Sequence, residues 1–156
     1  MVKKTYQITI SNPAKVARVM VKNQPVSLKY STELIREIKG KKVSKAERFL
    51  NNILTHQEFL PLRKYVRKIG HKKGNAKSFT KIGRYPQNFA KTFLKILASL
   101  KSNADYKGLD SQNLLIVHGF ASMGFSRTAF QSQGRISGKK RKRKSAHIEI
   151  VAVEAA

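Results

Sequence analysis

The chain has 156 residues, of which 40% are hydrophobic, which is enough for one domain with a small core. Its 33 Lys and Arg residues outnumber 8 Asp and Glu residues, and the net charge of +25 predicts a polyanionic partner, either nucleic acid or an anionic membrane surface. The lack of cysteine excludes disulfides and thiolate zinc sites. No apolar run approaches the ~18 residues of a membrane span, and no signal peptide is evident, so we expect a soluble, cytoplasmic protein.

The first part of the chain is predicted to form a strand and then a helix. Residues 16–21 have the apolar character of a short strand, which Pro25 closes. A helix is predicted to start at residues 31–33 (Ser-Thr-Glu), where a capping hydroxyl is followed by an acid in the first turn. Gly40 is predicted to end that helix.

A second helix is predicted to begin near Ser44, because Glu47 follows it at the spacing of a capping box. Its apolar residues recur at helical spacing, which indicates one buried face. They are Ala46, Phe49, Leu50, Ile53 and Leu54.

The middle of the chain is less regular. Residues 58–69 are interrupted by Pro61, and from residue 70 to residue 85 Gly, Lys, Asn, Ser and Thr dominate. Only Phe79 and Ile82 are apolar anchors in that stretch, so a basic loop is predicted.

The third helix has the clearest pattern. Pro86 is expected in its first turn, where the missing amide hydrogen costs nothing. The helix is predicted to end at residues 103–104. Its apolar face consists of Phe89, Ala90, Phe93, Leu94, Ile96, Leu97 and Leu100.

The last part of the chain is predicted to be a long β-hairpin. Residues 112–118 and 146–153 have strand character, and the stretch between them is rich in Gly, Ser, Arg and Lys. No Asp or Glu occurs from Ser111 to His147. The predicted fold is therefore α+β: one domain over residues 1–156, with a small antiparallel sheet packed on three main helices and a protruding hairpin at 111–154.

The basic residues fall into three groups, which we expect to bind phosphates as an ensemble, because ordinary surfaces mix both signs of charge. The first group is Lys29, Arg36, Lys39, Lys41 and Lys42. The second is Arg63, Lys64, Arg67, Lys68, His71, Lys72, Lys73, Lys77, Lys81 and Arg84. The third is Arg127, Arg135, Lys139, Lys140, Arg141, Lys142, Arg143 and Lys144. By itself the 139–144 run also fits a nuclear-import signal or a disordered tail, but its position between two strands favours phosphate contact.

No catalytic, cofactor or metal site is predicted. The four histidines lack zinc-ligand spacing, the carboxylates are scattered, and no phosphate-binding or nucleophile motif occurs. His118 and His147 are placed to face each other across the neck of the hairpin. Phe120, Phe125 and Phe130 recur every five residues, which fits either cross-strand packing within the hairpin or stacking on unpaired bases.

Several short motifs together resemble one protein family, the large-subunit ribosomal protein L-twenty-two family in its archaeal and eukaryotic form. Residues 26–30 and 36–41 resemble its first helix, 45–50 its second, and Gly83-Arg84-Tyr85-Pro86 the entry to its long helix. Further matching motifs are Asn103-Ala104-Asp105, Gly108-Leu109-Asp110, Gly134-Arg135-Ile136 and Ser145-Ala146-His147-Ile148-Glu149. The motifs keep the family's order and spacing over nearly the whole chain from residue 12 onward.

The resemblance implies a structural, non-enzymatic constituent of the large ribosomal subunit that binds rRNA, supports assembly and lines the nascent-peptide exit tunnel. The expected partners are rRNA, neighbouring large-subunit proteins and the nascent chain, with no membrane and no small-molecule substrate. The expected location is the ribosome, with nucleolar assembly if the source is eukaryotic. The resemblance places the hairpin tip at about 123–132 and the start of the return limb at residues 134–135. Its tunnel-facing residues would be Met123, Gly124, Phe125, Ser126, Arg127, Thr128 and Phe130.

The chain departs from the eukaryotic pattern, which has an arginine cluster before residues 134–135. This chain has only Arg127 there, and its charge lies instead at 139–144. We therefore expect a less charged tip and a return limb held firmly by rRNA.

The main alternative function is that of a DNA-associated basic protein such as a chromatin or nucleoid factor. Such a protein would need a recognition helix or a minor-groove arm. A membrane-active cationic protein would instead need an exposed apolar helix face.

Overall fold

The computed structural model describes residues 6–10, 13–73 and 80–155, so Lys77 and Phe79 of the predicted basic loop lie outside the described residues. Three strands form an antiparallel sheet in the order β1-β5-β4, and two short strands, β2 and β3, form a second pair. This arrangement confirms the predicted α+β class. The helices are α1 (Leu28–Ile38), α2 (Val43–Leu54) and α3 (Gln87–Asp105). The strands are β1 (Val16–Gln24), β2 (Leu60–Pro61), β3 (Gly83–Arg84), β4 (Leu114–Phe130) and β5 (Lys140–Glu154).

The core lies between one face of the three-stranded sheet and the three helices. β5 is the central strand, and alternate residues such as Ile148 and Ile150 point into this core. The helices contribute fully buried side chains at helical spacing, for example Phe93, Leu97 and Leu100 of α3. Each such burial contributes roughly 1.5–3 kcal/mol to folding.

The opposite face of the sheet is covered in part by the N-terminal segment. The Gln7 amide donates a hydrogen bond to Oε1 of the buried Glu149 (2.9 Å). The Arg18 guanidinium lies 5.6 Å from the centre of the Tyr6 ring. Burial raises the pKa of the Tyr6 hydroxyl, and the Glu149 carboxylate raises it further, while Arg18 lowers it.

The start of α1 differs from the prediction. α1 begins at Leu28, so Ser31 is a buried residue inside the helix, and its hydroxyl donates to the Ser27 carbonyl oxygen (3.0 Å). The predicted end is correct, since Gly40 has a φ of +78°, which favours glycine.

The starts of α2 and α3 are also shifted. α2 begins at Val43, which places Ser44 inside it rather than at its cap. Glu47 does not close a capping box, because its carboxylate accepts a hydrogen bond from Lys101 Nζ on α3 (2.6 Å). Pro86 lies one residue before α3, and its carbonyl oxygen accepts the Ala90 amide hydrogen (2.9 Å). At α2 the first residue, Val43, is fully buried, so tertiary packing extends this helix by one residue before Ser44.

The hairpin extends well past the helices. β4 and β5 pair from Leu114↔Glu154 to Phe130↔Lys140, and residues 131–139 form the turn. We call residues 124–145 the arm, because β1 pairs with β5 only as far as Ala146. The rest of the described chain is the body.

The predicted tip was placed too early in the chain. The range 123–132 overlaps the turn only at its last two residues, because regular pairing continues to Phe130. Residues 134–135 lie within the turn, and the return limb begins at Lys140.

The two neck histidines do not face each other. His118 pairs with Val151 and His147 pairs with Ser122, so they lie at different levels of the hairpin. His118 Nε2 lies 3.3 Å from Glu149 Oε1 without hydrogen-bond geometry. His147 Nδ1 accepts the Asn23 amide hydrogen (3.1 Å).

Candidate nucleic-acid interface

The predicted phosphate-binding side chains are exposed throughout. Every described member of the three basic groups is exposed to solvent, from Lys29 on α1 to Lys144 on the return limb. The structure brings the first and second groups together on the body and separates both from the third group on the arm. The candidate interface therefore consists of a body surface and an arm surface.

On the body, one buried carboxylate fixes residues 63–65, in the segment that precedes the basic loop. Glu33, 1% exposed, lies in α1. Its Oε1 accepts backbone amide hydrogens from Arg63 (3.2 Å), Lys64 (2.7 Å) and Tyr65 (3.2 Å), and its Oε2 accepts from Arg36 Nη1 (3.2 Å). The sequence pattern predicted only a first-turn acid at Glu33, because the backbone amides that it binds are about 30 residues further along the chain.

A short strand pair, β2 with β3, brings together the two ends of the segment that contains the basic loop. Leu60 and Pro61 pair with Arg84 and Gly83, and the Lys72 amide donates to the Lys81 carbonyl oxygen further out (2.8 Å). A β-carbon at Gly83 would overlap the buried Phe59 ring. The close approach of the two short strands therefore needs glycine at this position.

Carboxylates and an aromatic ring connect the first and second groups. Glu37 accepts from Arg63 Nη2 (2.8 Å) and lies 3.9 Å from Lys41 Nζ. Lys29 Nζ lies 5.4 Å from the centre of the Tyr65 ring. Arg63, Lys41 and Lys29 are thus held near neighbours within the protein, although all three side chains are exposed.

The arm arranges its cations differently. Successive residues of a strand point to opposite faces of the sheet. Lysine and arginine alternate along residues 140–144, so the lysines lie on one face and the arginines on the other. Lys140, Lys142 and Lys144 share one face with their partners Phe130, Thr128 and Ser126. Arg141 and Arg143 share the other face with Ala129 and Arg127. Within the described part of the chain, no arm cation forms an ion pair.

The root of the arm is a bulge held by one asparagine. Gly124 and Phe125 together oppose Ser145, between the pairs Met123↔Ala146 and Ser126↔Lys144. Asn23, at a φ of +53°, accepts the Phe125 amide hydrogen at Oδ1 (2.9 Å). The Ser145 hydroxyl donates to the Phe125 carbonyl oxygen (2.5 Å).

The three phenylalanines of the hairpin do not pack against one another. Phe120 is opposite Glu149, Phe130 is opposite Lys140, and Phe125 lies in the bulge. Their exposed fractions are 41%, 68% and 68%, respectively. Cross-strand packing therefore does not explain their spacing, and the rings are free to stack on a partner.

Other kinds of site find no support in the described ranges. No cluster of three or more His, Cys, Asp or Glu side chains there could hold a metal ion. No helix of the described chain is both long and apolar enough to span a membrane.

Comparison with known proteins assigns the family. The family described as ribosomal protein L22p/L17e matches residues 19–153. The chain belongs to this family. The large ribosomal subunit protein uL22 of Hyperthermus butylicus is 40% identical over 143 residues, 90% of each protein. That of Archaeoglobus fulgidus is 37% identical over 124 residues, covering 80% of this chain and 79% of the relative. That of Methanocaldococcus jannaschii is 34% identical over 154 residues, covering 99% and 97%.

The L22p/L17e motifs lie at structural junctions. Gly83-Arg84-Tyr85-Pro86 includes β3 and leads into α3, and residues 145–149 join the arm to the central strand of the body. The assignment confirms the resemblance. It rests on residues 19–153, a range that includes most of the body and the whole arm.

Proposed function

We propose that this chain is a structural constituent of the large ribosomal subunit. In this proposal the body and the arm both bind rRNA, and the arm extends through rRNA to the wall of the nascent-peptide exit tunnel. Its location is the ribosome, and its partners are rRNA and neighbouring large-subunit proteins. Its role is to organise RNA rather than to catalyse a reaction.

The observation that carries this proposal is the unneutralised charge of a projecting arm in a chain of this family. The arm has eight Lys and Arg residues and no carboxylate. Like charges repel, so the arrangement is favourable only when an anionic partner supplies the counter-charge. Membership of a ribosomal-protein family supports rRNA as that partner, whereas the DNA-associated alternative has no comparable support.

The turn at 131–139 is the part of the arm we propose to approach the tunnel. It lies farthest along the hairpin from the body, beyond Phe130, and carries Ile136, which is 46% exposed. Residues 123–128, predicted to face the tunnel, lie on the outgoing limb, and we propose that they contact rRNA nearer the body. At roughly 3.3 Å per residue, residues 124–130 span about 23 Å.

Sedimentation and cross-linking test the two parts of the proposal. Tagged full-length chain should sediment with large subunits through a sucrose gradient, and chain that stays at the top of a low-salt gradient would contradict a ribosomal role. A photo-reactive residue at Ile136 should cross-link to a stalled, labelled nascent chain. The same residue at Lys91, on the exposed surface of α3, is the control and should give no such product. Equal yields from both positions would contradict the tunnel assignment.

The return limb provides a direct structural test. In a map of the assembled subunit, side chains of residues 139–144 should lie within ~6 Å of rRNA phosphates, since charge-assisted hydrogen bonds are shorter than that. Larger separations along the whole run would contradict the proposal that rRNA holds this limb.

A further inference from the structure

A hollow of about 410 Å³ lies at the root of the arm, where the arm leaves the body. Its lining consists of Phe125, Arg127, Arg143, Lys144 and Ser145 of the hairpin, with Asn23 of β1 and Pro25 just after it. Its size falls within the roughly 300–1,000 Å³ of ligand pockets. The hollow thus combines three cationic side chains, two of them guanidinium groups, with an exposed aromatic ring.

The two arginines form an unfavourable pair in the free protein. Arg127 and Arg143 are directly opposite each other, so their β-carbons are about 4.5–5.5 Å apart on the same face. Like charges at this distance destabilise a strand pair, and no carboxylate occurs between residues 111 and 147 to offset them. An anion placed between the guanidinium groups removes this repulsion and can accept hydrogen bonds from both.

The aromatic ring beside the arginines adds a second kind of recognition. Phe125 is 68% exposed, although its backbone is fixed on both sides, by Asn23 through the amide and by Ser145 through the carbonyl. A ring held in this way offers a flat surface to a base with little loss of freedom on binding. The rigid root therefore keeps the ring in register with the arginine pair.

By contrast, a second hollow, of about 360 Å³ between α1, α2 and the segment before β2, includes carboxylates in its lining. Glu37 and Glu58 both face it. Carboxylates repel phosphate, so this second hollow is not suited to RNA, whereas the hollow at the arm root has only cations and neutral groups.

We propose that the hollow at the arm root binds one unpaired nucleotide of RNA. The phosphate lies between Arg127 and Arg143, and the base stacks on the Phe125 ring. This inference rests on the proposed function, which identifies the polyanion as RNA, and it adds that one site on the arm recognises a base as well as charge. Lys140 and Lys142, which do not line this hollow, contact phosphates as point charges only.

Equilibrium binding to two short probes tests the base contact. The full-length chain is titrated by fluorescence anisotropy against labelled decauridylate and against an abasic ribose-phosphate decamer. The chain should bind decauridylate about tenfold more tightly, the scale expected for one stacked base. Phe125→Leu should remove most of this preference. Phe130→Leu is the matched control, because Phe130 is equally exposed but lies opposite Lys140, away from the paired arginines Arg127 and Arg143, and this variant should retain the preference.

Charge-conserving substitutions test the arginine pair. Replacing both Arg127 and Arg143 by Lys should weaken binding to both probes by about tenfold, because lysine lacks the planar fork of donors. The reverse exchange on the other face, Lys140→Arg with Lys142→Arg, should leave both affinities within about twofold. Thermal unfolding of each variant checks that the body is intact.

The outcomes separate this inference from the proposed function. The nucleotide site is overturned if the chain shows no preference for bases, if Phe130→Leu lowers the preference as much as Phe125→Leu, or if the two arginine exchanges behave alike. Any of these results leaves the ribosomal assignment standing as long as the chain sediments with large subunits. Failure to sediment, with the base preference retained, would contradict the ribosomal role alone.

Discussion

The body and the arm of this protein use charge in opposite ways. All eight carboxylates belong to the body, where Glu33 and Glu37 fix the positions of nearby cations. The arm has no carboxylate, and its cations are placed only by the backbone register of two strands. Consequently the body presents an interface whose geometry is set before binding, whereas the arm presents charge that only a partner neutralises.

The same contrast holds for packing. The body buries a continuous core between the sheet and the helices, and this core supplies its stability. Beyond the bulge, the arm is a two-stranded ribbon whose side chains are almost all exposed. Such ribbons are marginally stable in water by themselves. The bulge at Asn23 and Ser145 therefore separates the part of the fold that has its own core from a ribbon that lacks one.

The largest expected effect comes from removing the charge of the return limb. Replacing the six residues 139–144 by Gln should lower the slope of log affinity for large-subunit rRNA against log salt by about four to five, since each phosphate contact contributes about 0.7–0.9. The stability of the body should stay the same or rise, because self-repulsion falls. Lys91→Gln with Lys95→Gln on α3 is the control. An unchanged slope in the six-residue variant would show that the arm does not carry the interface.

Measurements of stability test the claim that the Glu33 carboxylate fixes residues 63–65. Glu33→Gln should lower the unfolding free energy of the full-length chain by about 3 kcal/mol, because the buried negative charge that faces three backbone amides and one guanidinium is lost, and the new side-chain NH₂ group cannot accept a hydrogen bond. Glu37→Gln should cost less than about 1 kcal/mol, because its partner Arg63 is half exposed. Urea denaturation measures both, and equal losses would mean that Glu33 has no special structural role.

The smallest effect is expected at the junction of the two regions. Asn23→Ala should increase hydrogen exchange at the Phe125 amide by about five- to tenfold, the scale of one lost hydrogen bond. Asn23→Asp keeps the acceptor oxygen and should retain protection. Amides of the core, such as Leu97, should be unaffected in both variants. A Phe125 amide that exchanges equally in all three proteins would show that Asn23 does not hold the arm root.

The elements with strong local signals were predicted well. The apolar stripes of α2 and α3, the glycine that ends α1, and the two long strands of the hairpin all follow from periodicity within a short window. The helix starts were less accurate. Ser31 and Ser44 have the local pattern of caps, but the helices extend past them because their preceding residues also pack into the fold.

The sequence by itself predicted a polyanionic partner, the α+β class and the ribosomal family. Charge, periodicity and the order of motifs are properties of the chain alone. Only the tertiary structure decided that Glu33 anchors residues 63–65 and that the turn of the hairpin lies at 131–139. It also decided that the lysines and the arginines of residues 140–144 occupy opposite faces of the arm. These features depend on the pairing register and on partners about 30 to more than 100 residues apart, which no local pattern specifies.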